Sequence, residues 1–185
     1  MIARLTLVAA LLMLAACGHS PETQFLTLDP VPGASAVGRR GATLRVPSIQ
    51  VPPELDRVEF ARQTGPGQMK VDDLVHWSAP LGMLARNTLI LDLAQRLPSG
   101  TVLPPDAAAR PGGLRATVAI VSFGTAGGDA TMTATYAFGP EDGAAAAPRW
   151  AELRTPAGQT PVETARAFST LLGLLADRMA ADLSP

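Results

Sequence analysis

The sequence predicts a single α/β domain built on a mixed, largely antiparallel sheet with two principal helices. Strand-like and helix-like segments alternate along the chain without an internal repeat, which favours an α/β architecture. Residues 130–138 alternate threonine with apolar side chains, the pattern of a strand with one wet face. Residues 160–163 (Thr-Pro-Val-Glu) form a capping box with proline at the first helical position, which predicts a helix start.

Short apolar runs bounded by proline and glycine predict the strands of the first half. We expect strands at residues 25–29 and 44–51. The second contains Pro47, which favours a sheet edge or a bulge because proline donates no backbone hydrogen bond. Residues 58–63 and 71–77 flank Gly65-Pro66-Gly67, a turn signal that predicts a hairpin or an Ω-like excursion with an exposed tip.

The first helix is predicted from residue 81 to the Pro98-Ser99-Gly100 stop. Ser78 is expected to cap it, and Pro80 to lie in its first turn, where the missing N–H costs nothing. Side chains at helical spacing predict its buried stripe: Leu81, Leu84, Ala85, Thr88, Leu91 and Ala94.

The second half of the sequence predicts a pair of strands and the second helix. Residues 114–123 are apolar on both faces and therefore predict a central strand, joined through a glycine-rich turn to 130–138. A short last strand is expected at 149–154. Apolar residues at helical spacing then predict a buried stripe over about six turns: Val162, Ala165, Phe168, Leu172, Leu175, Met179 and Leu183.

The N-terminus has the pattern of a bacterial lipoprotein precursor. Arg4 precedes an apolar run of about ten residues, too short to span a bilayer and typical of a signal peptide. Leu14-Ala15-Ala16-Cys17 then resembles the lipobox, with Cys17 as the lipidated residue. An ordinary secretory signal cleaved near Ala16 and a free structural thiol are the alternatives. We therefore expect a signal peptide at 1–16, a lipidated N-terminus and tether at 17–23, and the α/β domain at 24–185.

Composition and spacing exclude several function classes. The formal net charge is −1 and no basic stripe occurs, so nucleic-acid binding is not expected. Histidine occurs only as His19, in the tether, and His76, and neither lies in a zinc-ligand or hydrolase pattern. The acidic pairs 72–73 and 141–142 lack the spacing of a calcium loop and predict solvated loops. Gly127-Gly128 fits a turn rather than a phosphate-binding loop. We expect no catalytic residue, metal or cofactor.

The ordered segments together resemble a known family, the ABC-type transport auxiliary lipoproteins (PqiC-like), over roughly residues 24–183. The lipobox is followed by Phe25-Leu26-Thr27-Leu28-Asp29-Pro30, Leu44-Arg45-Val46-Pro47-Ser48-Ile49-Gln50-Val51-Pro52, Phe60-Ala61-Arg62-Gln63, His76-Trp77-Ser78-Ala79-Pro80-Leu81, Asn87-Thr88-Leu89 and Leu175-Ala176-Asp177-Arg178-Met179-Ala180. One departure is His76, where the family often has Arg or Tyr.

The resemblance implies a non-catalytic outer-membrane lipoprotein on the periplasmic face. Its implied partner is an MCE-domain protein and, through it, an inner-membrane permease and ATPase that move phospholipid or another hydrophobic substrate between the membranes. It also implies a three-layer α/β/α domain, and its one transferable chemical position is Cys17. Gly18 after the cysteine favours the outer membrane, by resemblance to the sorting rule of enteric bacteria.

Several alternatives stay open at this point. A lipoprotein that assists assembly or plugging of a β-barrel is the second hypothesis, and a lipid-anchored enzyme is the third. A homo-oligomer is an open alternative to a single copy. Trp77 is expected to pack in the core rather than anchor a partner, and the 65–67 tip either has no role or reaches a partner.

Overall fold

The structure is a computed structural model that describes residues 22–33 and 42–183. The predicted signal peptide and Cys17 lie outside these residues. The described strands are β1 (Gln24–Leu26), β2 (Leu44–Arg45), β3 (Ile49–Gln50), β4 (Glu59–Gly65), β5 (Gln68–Trp77), β6 (Val102–Leu103), β7 (Leu114–Ala126), β8 (Asp129–Pro140) and β9 (Arg149–Pro156). The helices are α1 (Leu81–Arg96) and α2 (Pro161–Asp182).

The sheet is organised around β7. One edge of β7 pairs antiparallel with β8, which pairs antiparallel with β9. Its other edge takes β2, β3 and β4 in turn, all parallel to it. Beyond β4 lie β5, antiparallel, and then β1, parallel to β5, while β6 pairs parallel with β2. The predicted α/β class, mixed sheet and two principal helices are confirmed, and the long ladders are antiparallel.

The two helices form one layer on one face of the sheet. They pack against each other, and α2 also contacts β8, β9 and β1 while α1 contacts β3 and β6. Alternate side chains of β8, such as Met132 and Ala134, are buried beneath this layer, whereas Thr131 on the opposite face is exposed. The domain therefore has two layers in its described part rather than the three implied by the resemblance. The prediction of one wet face on residues 130–138 is confirmed.

An aromatic cluster joins the helical layer to the sheet. Trp77 is 1% exposed and packs with its ring centroid 5.2 Å from Phe60 and 6.4 Å from Phe168. Phe168 of α2 stacks on Phe123 of β7 at 3.6 Å. Aromatic pairs stabilise a core beyond the area that they bury. Trp77 is thus a core residue, as predicted.

Two local predictions of the first half need correction. The single strand expected at 44–51 is two short strands, β2 and β3, separated by residues 46–48 around Pro47. The expected cap at Ser78 is wrong, because the N-cap position of α1 is Pro80 and its side chain makes no capping bond. Asp56 accepts instead, from the backbone N–H of Gly82 at 2.9 Å. A carboxylate from elsewhere in the chain thus satisfies a first-turn donor.

The buried face of α1 also differs from the predicted stripe in its second half. Leu91 is 50% exposed and Ala94 is exposed, while Asp92 and Arg96 are buried. The helix therefore buries a charged pair where the apolar pattern placed leucine and alanine. In α2 the capping box is confirmed: Thr160 Oγ1 accepts from the N–H of Glu163 at 3.3 Å. None of the described helices is both long enough and apolar enough to cross a bilayer.

Candidate functional site

Two hairpin turns lie side by side at one end of the sheet. The β4–β5 hairpin turns at residues 66–67 and the β7–β8 hairpin at 127–128, where glycines adopt the positive φ that other residues rarely tolerate. β4 and β7 are parallel, with Gln63 opposite Gly124, so both strands end in the same direction. We call this end of the sheet the tip end, and the opposite end, where β7 begins at Leu114, the base end.

The N-terminal chain approaches the domain from the tip end. β1 runs parallel to β5, with Gln24 opposite Val75 and Leu26 opposite Trp77. Because β5 begins at the hairpin turn, the residues before Gln24 lie toward that turn. The first described residues, Glu22 and Thr23, are therefore on the same side of the domain as the hairpin turns.

The outer half of the β4–β5 hairpin exposes apolar groups and cations together. Met69 is 43% exposed and Val71 is 38% exposed. Lys70, between them, is directly opposite Arg62 across the two strands. The Arg62 guanidinium lies 5.3 Å from the centroid of the Phe60 ring. None of the ion pairs within 22–33 and 42–183 includes Arg62 or Lys70, so this hairpin carries two unneutralised positive charges.

Two clefts open at the tip end. A cleft of about 360 Å³ lies between the two hairpins and is lined mainly by backbone and small side chains, including Pro66 and Ala126. A second, of about 240 Å³, is lined by Met69, Val121 and Leu55 among others. The polar side chains of the second cleft are Glu54, Gln63, Gln68 and Ser122, and those of the first are Gln63, Thr125 and Thr131.

A buried polar cluster fastens the chain that follows β1. Residues 28–31 cross both helices, and four side chains bond to their backbone. Thr88 Oγ1 donates to the Leu28 carbonyl at 3.1 Å, and the Asp29 N–H donates to Ser169 Oγ at 3.0 Å. The Val31 N–H donates to Asp92 Oδ1 at 2.7 Å, and Arg96 Nη1 donates to the Val31 carbonyl at 3.1 Å. The N-terminal segment is thereby fixed to the helical layer.

The charges of Asp92 and Arg96 in this cluster are shielded from water. Asp92 is 0% exposed and Arg96 is 1% exposed, with Arg96 Nη1 3.6 Å from Asp92 Oδ1. Arg96 Nε also donates to Asp177 Oδ1 at 2.5 Å. Asp92 Oδ2 has no hydrogen-bond partner within the described residues. Burial is the main reason that the pKa of Asp92 rises to about 6, although the Val31 N–H and Arg96 oppose the rise.

We expect acidification from pH 7 to pH 5 to raise the stability contributed by Asp92. Its pKa of about 6 in the folded protein exceeds the ordinary 3.8, so the folded state binds the proton first. This difference in pKa raises the free energy of unfolding by about 1 kcal/mol between pH 7 and pH 5. The pKa values of the Glu141 and Asp182 carboxyls are lowered. The folding stability that these carboxyls contribute is therefore lost only at pH values below this range.

Urea unfolding of the parent and of Asp92→Asn at pH 7 and at pH 5 measures this effect. The difference in unfolding free energy between the two proteins should shift in favour of the parent at pH 5. A difference that is the same at both pH values would show that Asp92 does not titrate in this range.

The acidic residues near the base end are structural. Glu141 was expected in a solvated loop, but its side chain is 3% exposed and accepts from Arg45 Nε at 3.0 Å and Arg45 Nη2 at 2.6 Å. These bonds with Arg45 lower the pKa of the Glu141 carboxyl. Asp182 accepts from the Tyr136 hydroxyl at 2.5 Å, and burial together with this bond raises the pKa of Tyr136 to about 12. Both contacts join distant elements at the base end.

The residues singled out from the sequence are thus distributed over the domain. His19, like Cys17, lies outside the described residues. His76 is half-buried on β5, with its ring 5.8 Å from Phe25 in an edge-on contact. Asp72 and Asp73 lie within β5 rather than in a loop. Within the described ranges, no three His, Cys, Asp or Glu side chains come close enough to hold a metal ion. The clefts at the tip end and the buried polar cluster were not predicted.

Comparison with known proteins identifies related folds and one family. Residues 26–180 match a family model described as "ABC-type transport auxiliary lipoprotein component". No curated protein sequence matches the chain. A crystal structure of an uncharacterized protein superposes with a TM-score of 0.73 at 17% identity, covering 89% of this chain and 100% of that one. A Xanthomonas campestris protein of family DUF330 superposes with a TM-score of 0.62 at 13% identity, covering 84% and 92%. These structures share the fold.

Proposed function

Since the chain belongs to the family of ABC-type transport auxiliary lipoprotein components, we propose that it is a non-catalytic, lipid-anchored subunit of an MCE-type ABC transport system. In this proposal the system moves phospholipid or another hydrophobic substrate between the inner and outer membranes. The chain is held by lipid on Cys17 at the periplasmic face of the outer membrane. It binds an MCE-domain protein, which connects it to an inner-membrane permease and ATPase.

The family match carries this proposal. It extends over residues 26–180, from β1 into the last turns of α2, so the described domain corresponds as a whole to the auxiliary component. The lipobox-like segment ends at Cys17, shortly before the matched region begins. The two clefts at the tip end offer surfaces on which a partner or a ligand could bind, which supports a binding role. The direction of β1 also supports the proposal, because β1 enters the sheet from the end at which the two clefts open.

We expect Cys17→Ser to abolish lipid attachment, because serine cannot form the thioether. Metabolic labelling with palmitate and membrane fractionation should show labelled, membrane-bound parent protein and an unlabelled precursor for the variant. Ser20→Ala, which changes a neighbouring hydroxyl, is the matched control and should be labelled like the parent. Palmitate that remains on the Cys17→Ser protein would reject lipidation at this residue.

The same membranes test the partnership. Affinity purification of the parent from detergent extracts, followed by mass spectrometry, should recover an MCE-domain protein together with a permease and an ATPase. The Cys17→Ser precursor provides the background, since it should not reach these partners. Recovery of an outer-membrane β-barrel in place of the MCE-domain protein would overturn the transport assignment in favour of the barrel-assembly alternative.

A further inference from the structure

We propose that the tip end of the sheet rests on the membrane that holds the lipid anchor, with the β4–β5 hairpin entering the phospholipid headgroup layer. This inference deepens the proposed function and rests on lipid attachment at Cys17. It concerns the orientation of the domain and a contact with lipid, neither of which follows from membership of the family.

The length of the tether sets an upper limit on the distance between the hairpin and the lipid. Gln24 lies opposite Val75, and from Val75 to the start of β5 at Gln68 the strand extends about 23 Å toward the turn. The chain from Gln24 back to Cys17 can extend in that direction by at most a similar distance, about 25 Å. The lipidated residue therefore cannot lie far beyond the hairpin turn. Any bend in the tether brings the membrane closer to the domain.

The chemistry of the hairpin suits a phospholipid surface. Met69 and Val71 are exposed side by side on one face of β5, and Met69 also borders the cleft that Leu55 and Val121 line. Lys70 and Arg62 are opposite each other on the other face, and like charges in this position repel. Phosphate groups of a bilayer would relieve this repulsion while Met69 and Val71 enter the interfacial region.

The pair of cations on the hairpin also favours a phospholipid surface. At the neighbouring β7–β8 turn, Asp129 is ion-paired with Arg154 and adds no net charge. Asp72 and Asp73 lie farther along β5, away from the turn. Glu54 lines the cleft beside Met69, so the positive charge of the tip end is confined to the pair Lys70 and Arg62. Anionic phospholipids attract cations that lie within a Debye length of the surface.

The single cysteine of the chain allows a direct test. In the mature lipoprotein the Cys17 sulfur carries lipid, so an introduced cysteine is the only free thiol. Pro66→Cys places it at the hairpin turn. Ser99→Cys places it at the base end, in the exposed loop just before Thr101, whose carbonyl accepts from the N–H of Leu44. Each full-length, lipidated variant is labelled with a polarity-sensitive fluorophore and reconstituted in phosphatidylethanolamine–phosphatidylglycerol vesicles.

We expect the label at residue 66 to be quenched severalfold more than the label at residue 99 by nitroxide-bearing lipids. Iodide in the aqueous phase should quench the label at residue 99 more strongly. Adding Met69→Asp to the Pro66→Cys variant should reduce the lipid quenching severalfold. Leu91→Asp makes the same chemical change at an exposed leucine on α1 and should leave the quenching unchanged.

Equal aqueous quenching at residues 66 and 99 in lipidated protein would overturn the membrane contact and leave the proposed function intact. A tip label that becomes shielded only when an MCE-domain protein is added would also overturn it, and would assign the hairpin to a protein contact. Mass spectrometry of the same samples records the lipid on Cys17. Protein without that lipid would reject the proposed anchor and, with it, this orientation.

Discussion

Replacing Leu172 with aspartate is expected to unfold much of the protein. Leu172 is 0% exposed and belongs to the apolar core between α2 and the sheet. A carboxylate placed there without a partner costs several kcal/mol, whether it stays charged or takes up a proton. Domains of this size are stable by about 5–15 kcal/mol, so the loss is a large fraction of the total. Thermal melting followed by circular dichroism measures it.

The matched control for this change is Leu91→Asp. Leu91 is 50% exposed on α1, so the same substitution there should alter stability by no more than about 0.5 kcal/mol. If the Leu172→Asp protein melted at the temperature of the parent, α2 would have to face solvent or a partner at this position, contrary to the structure.

Removing Arg96 is the second change with a large expected effect. Arg96→Met leaves Asp92 buried without its cation and removes the donor to the Val31 carbonyl. Breaking a buried ion pair by deleting one partner costs about 3–5 kcal/mol, because the remaining charge has neither water nor a counterion. We expect a loss of this size in urea unfolding at pH 7, and a smaller loss at pH 5, where Asp92 takes up a proton more readily.

The double variant Asp92→Asn, Arg96→Met separates the charge from the packing. Asparagine is neutral and keeps an oxygen that can accept from the Val31 N–H. The double variant should therefore recover more than half of the stability lost in Arg96→Met alone. If it is no more stable than Arg96→Met, the arginine stabilises the domain mainly through its packing against Gly33 and Gly173 and not through its charge.

The two helices differ in how far the sequence predicted them, and the reason is physical. The start of α2 depends on Thr160 and Glu163, three residues apart, and its buried stripe is apolar throughout, so local sequence contains both signals. The inward face of α1 contains Asp92 and Arg96, which an apolar pattern cannot recognise. The apolar pattern instead selected Leu91, which is exposed and lies one position before the buried Asp92.

Contacts between residues distant in the chain were not predictable from local patterns. Asp56 caps α1 at Gly82, and Arg45 pairs with Glu141 across the base end. Each partner is an ordinary charged residue in its own segment, and only the folded topology brings the two together. Of the candidate site, the hairpin and its exposed tip were predicted because Gly65-Pro66-Gly67 is a local turn signal. That β1 enters the sheet from the side of this tip depends on the parallel pairing of β1 with β5.

The central position of β7 has a consequence for biogenesis. Its two edges bind β2, β3 and β4 from the first half of the chain and β8 from the second, so the sheet cannot close until β7 and β8 have been synthesised. Parallel pairings between distant segments also form slowly. In a precursor that is exported as proposed, this topology delays folding, because the early segments cannot complete a stable sheet. If the chain is exported as proposed, the strand order that stabilises the finished domain also leaves the nascent chain unfolded for passage through a translocation channel.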